Sequence, residues 1–146
     1  MTRIEFHFNA PDRLNYTCRL LRKVQASGLR VGVVGAQAFL QQLDRALWTF
    51  SAQDFIPHAW AGQAESAQAE ASCAVWLSER VADLGPVDVL VNLGEAPPVG
   101  FEAIERLIEV VSADDLDRAN ARARWKHYTQ QGYTLIRHDL GKPATA

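Results

Sequence analysis

The residues able to do chemistry in this chain are few and scattered. Gly32-Val33-Val34-Gly35-Ala36 follows an apolar run and supplies two of the three glycines of a dinucleotide-binding turn. That turn needs one glycine for the bend, one for approach to the pyrophosphate and one for helix–strand packing. Here the first glycine lies inside the apolar run, so a tight strand-to-helix turn is the simpler reading. No Gly-x-x-x-x-Gly-Lys-Ser/Thr loop exists to cradle a triphosphate, and no Gly-x-Ser-x-Gly elbow exists to present a nucleophile. The histidines, His7, His58, His127 and His138, form no His-x-x-x-His pair, and none stands at metal-ligand spacing from Cys18 or Cys73. The two cysteines allow one disulfide, but thiols with apolar neighbours read as reduced core residues. Asp114-Asp115 opens a helical segment, where carboxylates favour the positive end of the helix dipole. Asp44 and Asp54 flank Trp48 at no catalytic spacing. The expectation is a chain without catalytic residues, metal or cofactor.

Two segments carry surface chemistry. In the helix expected over 114–131, Arg118, Arg122 and Trp125 fall within about 60° of one another at 100° per residue, and Lys126 borders them. Guanidinium groups grip carboxylates bidentately, and an indole beside them offers a wall for an apolar side chain, so the face suits an acidic peptide with an apolar end. Two other readings stand beside it: a merely solvated basic face, and an indole packed beneath the last strand. Leu116, Ala119 and Ala123 fall on another face, apolar and small, expected against the sheet. The second segment is Leu43 to Phe50 followed by Asp54-Phe55-Ile56-Pro57-His58. A connection holding Trp48, Phe50, Phe55, Ile56 and Pro57 either folds into the core or presents an interface anchor.

The elements that must position these groups alternate. Ile4, Phe6 and Phe8 alternate with Glu5 and His7, as in a strand with one better-buried face. A helix opens at Pro11-Asp12, with Leu14, Cys18, Leu21 and Val24 at helical spacing, and stops near Gly28. Residues 30–35 read as a buried strand, Ala36 to Trp48 as a helix with Phe39, Leu40, Leu43 and Leu47 on one face. Strands are expected at 73–77, 87–93 and 107–111, then the helix to Gln131, ended by Gly132, and a last strand starting at Tyr133. Near-continuous apolar strands alternating with helices predict an α/β three-layer domain, Rossmann-like, with a mostly parallel central sheet and helices on both faces. The 146 residues suit one domain over 1–140 with a fraying tail at 141–146. Hydrophobic residues at 48% and charged residues at 22% are ordinary globular usage. A net charge of −2 disfavours coating of nucleic acid by the whole surface. The N-terminus lacks a signal-peptide core and no apolar run has bilayer length, so the expected location is the cytoplasm.

Leu43-Asp44-x-Ala46-Leu47-Trp48 with Phe55-x-Pro57-His58 and Ala61-Gly62, and later Ala121-Arg122-x-Arg124-Trp125-Lys126-x-Tyr128 with Gly132-Tyr133, resemble the chi subunit family of bacterial DNA polymerase III. The likeness covers essentially the whole chain; residues 64–71 match poorly. It implies a Rossmann-like domain without nucleotide chemistry, serving as a non-catalytic adaptor of the clamp-loader complex in DNA replication. It implies two partners: the psi subunit, and single-stranded DNA-binding protein, whose acidic C-terminal tail ends in an apolar residue and a free carboxylate. It also links the family to a helicase of the XPD-like group. By that resemblance Arg118, Arg122, Trp125 and Lys126 are tail-binding positions, with Arg118 replacing a lysine and Trp125 standing where relatives have tyrosine. Trp48, Phe55, Ile56 and Pro57 are psi-facing. The competing functions are a nucleotide-dependent enzyme using the Gly32–Gly35 turn, and a direct single-strand binder stacking bases on Trp125.

Overall fold

The computed structural model describes residues 2–49, 57–61 and 74–141. Among these residues seven strands, β1 (Arg3–Ala10), β2 (Val31–Val34), β3 (His58–Trp60), β4 (Val75–Ser78), β5 (Val89–Asn92), β6 (Arg106–Ser112) and β7 (Leu135–Asp139), form one sheet in the order β3-β4-β2-β5-β6-β1-β7. Every pairing is parallel. Among the described residues three helices, α1 (Arg13–Ala26), α2 (Gln37–Thr49) and α3 (Asp115–Gln130), cover the faces. No described helix is long and apolar enough to cross a membrane.

Alternation along each strand divides the core in two. Val31 and Val33 of β2, Val75 and Leu77 of β4 and Val89 and Val91 of β5 meet Leu21, Val24, Leu40, Leu43 and Leu47 of α1 and α2. On the opposite face Ile4, Phe6, Val34, Trp76, Leu90 and Leu107 meet Ala121 and Tyr128 of α3, together with Leu84, Phe101 and Ile104 from two short 3-10 turns. Asp12 caps α1 by accepting from the Asn15 amide at 3.0 Å, and Gly28, at φ 84°, takes the left-handed conformation just past its end. Asp114 caps α3 through the Asp117 amide, the structural role expected of that carboxylate.

Gly32 has a packing reason. A Cβ there would stand 2.5 Å from Leu84 Cδ1, so the absence of a side chain lets Leu84 close over the middle of the sheet.

Three expectations need correction. Residues 58–60, for which no strand is expected from the sequence, form the edge strand β3. Glu5 and His7 are buried, because β1 lies inside the sheet between β6 and β7 and α1 covers its second face. The face of α3 against the sheet is Ala121, Arg124 and Tyr128, whereas Leu116 is 67% exposed and Ala119 and Ala123 are exposed too. The physical reason is Glu109, fully buried on β6. It accepts from Arg124 Nε at 3.0 Å, from the Tyr128 hydroxyl at 2.5 Å and from Asn92 Nδ2 at 3.0 Å, and Arg124 Nη1 also donates to the Glu95 carbonyl at 2.9 Å. A buried charge must be paired and hydrogen-bonded, and this network turns the helix by its polar side chains.

Candidate functional site: a basic cleft between α3 and β7

With Arg124 and Tyr128 turned inward, the adjoining face of α3 carries Arg118, Ala121, Arg122 and Trp125 along one edge, at the i, i+3, i+4, i+7 spacing that stacks side chains on a helix. These line a cavity of about 350 Å³ with Phe6 and Phe8 of β1, Val111 of β6 and Arg137 of β7. Phe6 and Trp125 meet edge to face with ring centroids 5.1 Å apart. Arg137 lies over the Phe8 ring at 5.2 Å and near the Trp125 ring at 5.9 Å. The half-buried indole both packs against the sheet and walls the cleft, so the two readings of Trp125 describe one ring.

The result is an aromatic floor under three guanidinium groups. Arg118, Arg122 and Arg137 are exposed, and among the described residues none has a carboxylate partner. This contrasts with Arg124, 1% exposed and committed to Glu109. Lys126 is exposed on α3 but does not line the cavity. Arg137 was not foreseen: it reaches the cleft because β7 pairs with β1, Phe6 standing opposite Arg137, a register that local pattern does not reveal.

The second surface lies at the far edge of the sheet. Trp48, at the end of α2, is 59% exposed, with its ring centroid 5.3 Å from that of His58. His58 is buried, and its Nε2 lies 2.8 Å from Asp44 Oδ1, which ties β3 to α2. Pro57 is half-buried beside it, while Phe55 and Ile56 lie outside the described residues.

The family model described as "DNA polymerase III chi subunit, HolC" matches residues 1–136. This chain belongs to the DNA polymerase III chi subunit family. Among its chi relatives, DNA polymerase III subunit chi of Pseudomonas aeruginosa is 33% identical over 145 residues, covering 96% of this chain and 98% of the relative. The chi subunit of Haemophilus influenzae is 28% identical over 125 residues (85% of each chain), and that of Escherichia coli 29% over 121 residues, covering 81% of this chain and 79% of that one. The solved C-terminal domain of the DEAD-box protein Dbp5 superposes with a TM-score of 0.62 at 13% identity, covering 97% of this chain and 92% of that one. At that identity the likeness is one of fold alone. The Gly32–Gly35 segment of this chi-family chain accordingly has a structural use: Gly32 admits Leu84, and Gly35 runs close against Leu93.

Proposed function

We propose that this chain is a non-catalytic accessory subunit of the DNA polymerase III clamp-loader complex, which holds the acidic C-terminal tail of single-stranded DNA-binding protein in the α3–β7 cleft and psi on the surface around Trp48 and Pro57. The observation that carries the reading is the arrangement of Arg118, Arg122 and Arg137, without carboxylate partners among the described residues, around an aromatic-floored cavity of about 350 Å³. A tail ending in an apolar residue would seat that side chain against Phe6, Phe8 and Trp125. Its terminal carboxylate and acidic residues would pair with the guanidinium rim. Partly exposed charge pairs make such binding fall with salt, and one short peptide should bind at roughly micromolar to tens of micromolar, about 6–8 kcal/mol. Several tails on one oligomeric partner strengthen attachment without new contacts. Trp48 is the anchor expected of the psi-facing surface, with Phe55 and Ile56 continuing the same segment; the link to an XPD-like helicase belongs to this surface as well.

The test is titration calorimetry with a synthetic tail peptide. Arg118→Ala, Arg122→Ala and Arg137→Ala should each weaken binding at least tenfold at unchanged thermal stability, and amidating the peptide's C-terminus should weaken it similarly. Unaltered affinity in the first two variants removes the site. Tight binding of bare single-stranded oligonucleotide at physiological salt would instead favour a direct nucleic-acid binder. Trp48→Ala should lose psi in a pull-down while keeping the tail peptide.

A further inference from the structure

The α1-covered face of β1 holds a second cluster that the adaptor reading does not use. His7 and His138 are direct partners across the β1–β7 ladder, with ring centroids 4.6 Å apart, and Glu5 lies two residues before His7 on the same face. Nε2 of each histidine stands 3.4 Å from the same carboxylate oxygen, Glu5 Oε1, and the three ligand atoms lie within 4.8 Å of one another. We propose that Glu5 Oε1, His7 Nε2 and His138 Nε2 form a binding site for one zinc-class divalent metal ion.

The distances carry the argument. A separation of 3.4 Å is long for a hydrogen bond. Ligands about 2.0–2.1 Å from a tetrahedral ion, however, stand about 3.3 Å from one another. The ring of His7 is oriented from behind, its Nδ1 2.5 Å from the Tyr16 hydroxyl of α1. In the tautomer in which Nδ1–H donates to that hydroxyl, Nε2 turns its lone pair toward Glu5, the outer-shell arrangement typical of metal-bound histidine.

The arginines around Glu5 leave the ligand oxygen accessible. Arg106 Nε donates to Oε2 at 2.5 Å and Arg3 Nη2 lies 3.3 Å from Oε2, while Oε1 has the longer 3.1 Å bond from Arg106 Nη2 and the two histidine nitrogens at 3.4 Å. His138 is half-exposed, and a cavity of about 460 Å³, whose polar lining includes Tyr16, Arg19, Lys23 and Arg106, opens beside the cluster. A fourth ligand would come from solvent in that cavity. Two histidines, one carboxylate and an open position are a ligand set that suits zinc and neighbouring ions, whereas magnesium and calcium want all-oxygen shells.

The experiment is titration of the full chain with cobalt chloride followed by visible absorption, and with zinc chloride followed by thermal shift, on wild type, His138→Ala, His7→Ala and His127→Ala. His138 is on an edge strand with an exposed ring, so its variant retains the fold; His127 is an exposed histidine of α3 outside the cluster. Expected are one cobalt per chain with the intense bands of tetrahedral coordination, an upward shift in melting temperature with zinc, loss of the bands and at least tenfold weaker binding in His138→Ala, and no change in His127→Ala. No binding at micromolar metal, or wild-type binding in His138→Ala, overturns the site.

Discussion

Replacing Arg124 with methionine tests what holds α3 on the sheet. The variant keeps much of the aliphatic stem but removes the guanidinium that donates to Glu109 at 3.0 Å and to the Glu95 carbonyl at 2.9 Å. Glu109 is then a fully buried carboxylate left with only Tyr128 and Asn92 as donors. Breaking a buried pair by deleting one partner costs about 3–5 kcal/mol, which for a chain of this length lowers the melting temperature by about 10–15 °C. Burial already pushes the Glu109 carboxyl above its ordinary value, against the pull of Arg124, Tyr128 and Asn92. Without Arg124 it rises further. A carboxyl raised in the folded state contributes fully below its unfolded value of about 4.5 and loses that contribution as pH climbs through the folded value. The penalty in Arg124→Met should therefore be smaller at pH 5.5 than at pH 7.5. Urea denaturation at both pH values measures it. The double variant Arg124→Met with Glu109→Leu should recover at least about 1–2 kcal/mol relative to the sum of the singles. A single variant within about 1 kcal/mol of wild type, or strictly additive effects, would refute the claim that this pair sets the helix face.

Two further expectations follow from the core. Gly32→Ala places a methyl group 2.5 Å from Leu84 Cδ1, so it should destabilise by about 1–3 kcal/mol in denaturant titration; a neutral result would mean that Leu84 moves aside freely. Burial pushes the Cys18 thiol up to about 11, with the charge of Asp12 adding to it. Since the thiolate is the nucleophile, peptide mapping after iodoacetamide treatment of the native protein at pH 8 should find Cys18 unmodified, and modified only in denaturant.

How much of this was legible in the sequence depends on range. The alternation around Ile4, the Asp12 cap, the β-branched run at residue 31 and the leucine spacing of α2 are local signals, and they locate the elements and the parallel architecture. β3 has only three residues and no alternation, so nothing local marks it. The packing face of α3 was misread because Leu116, Ala119 and Ala123 look like a buried stripe, while the buried side chains are an arginine and a tyrosine whose partner, Glu109, belongs to another element. The basic group Arg118, Arg122 and Trp125 followed from helical spacing alone. Arg137 and the Glu5, His7, His138 cluster depend on the register between β1 and β7, more than 120 residues apart in the chain, and no periodicity encodes that.

The position of β1 has a consequence for how the molecule is made. β1, the earliest of the described strands in the chain, sits between β6 and β7, the latest two. Until residues 106–112 are made β1 lacks both neighbours, until residue 125 Phe6 lacks the ring of Trp125, and until residues 135–139 are made one side of β1 stays unpaired. Closure of the sheet is therefore a late, long-range event, and a chain stopped before Leu135 would present β1 as a bare, sticky edge.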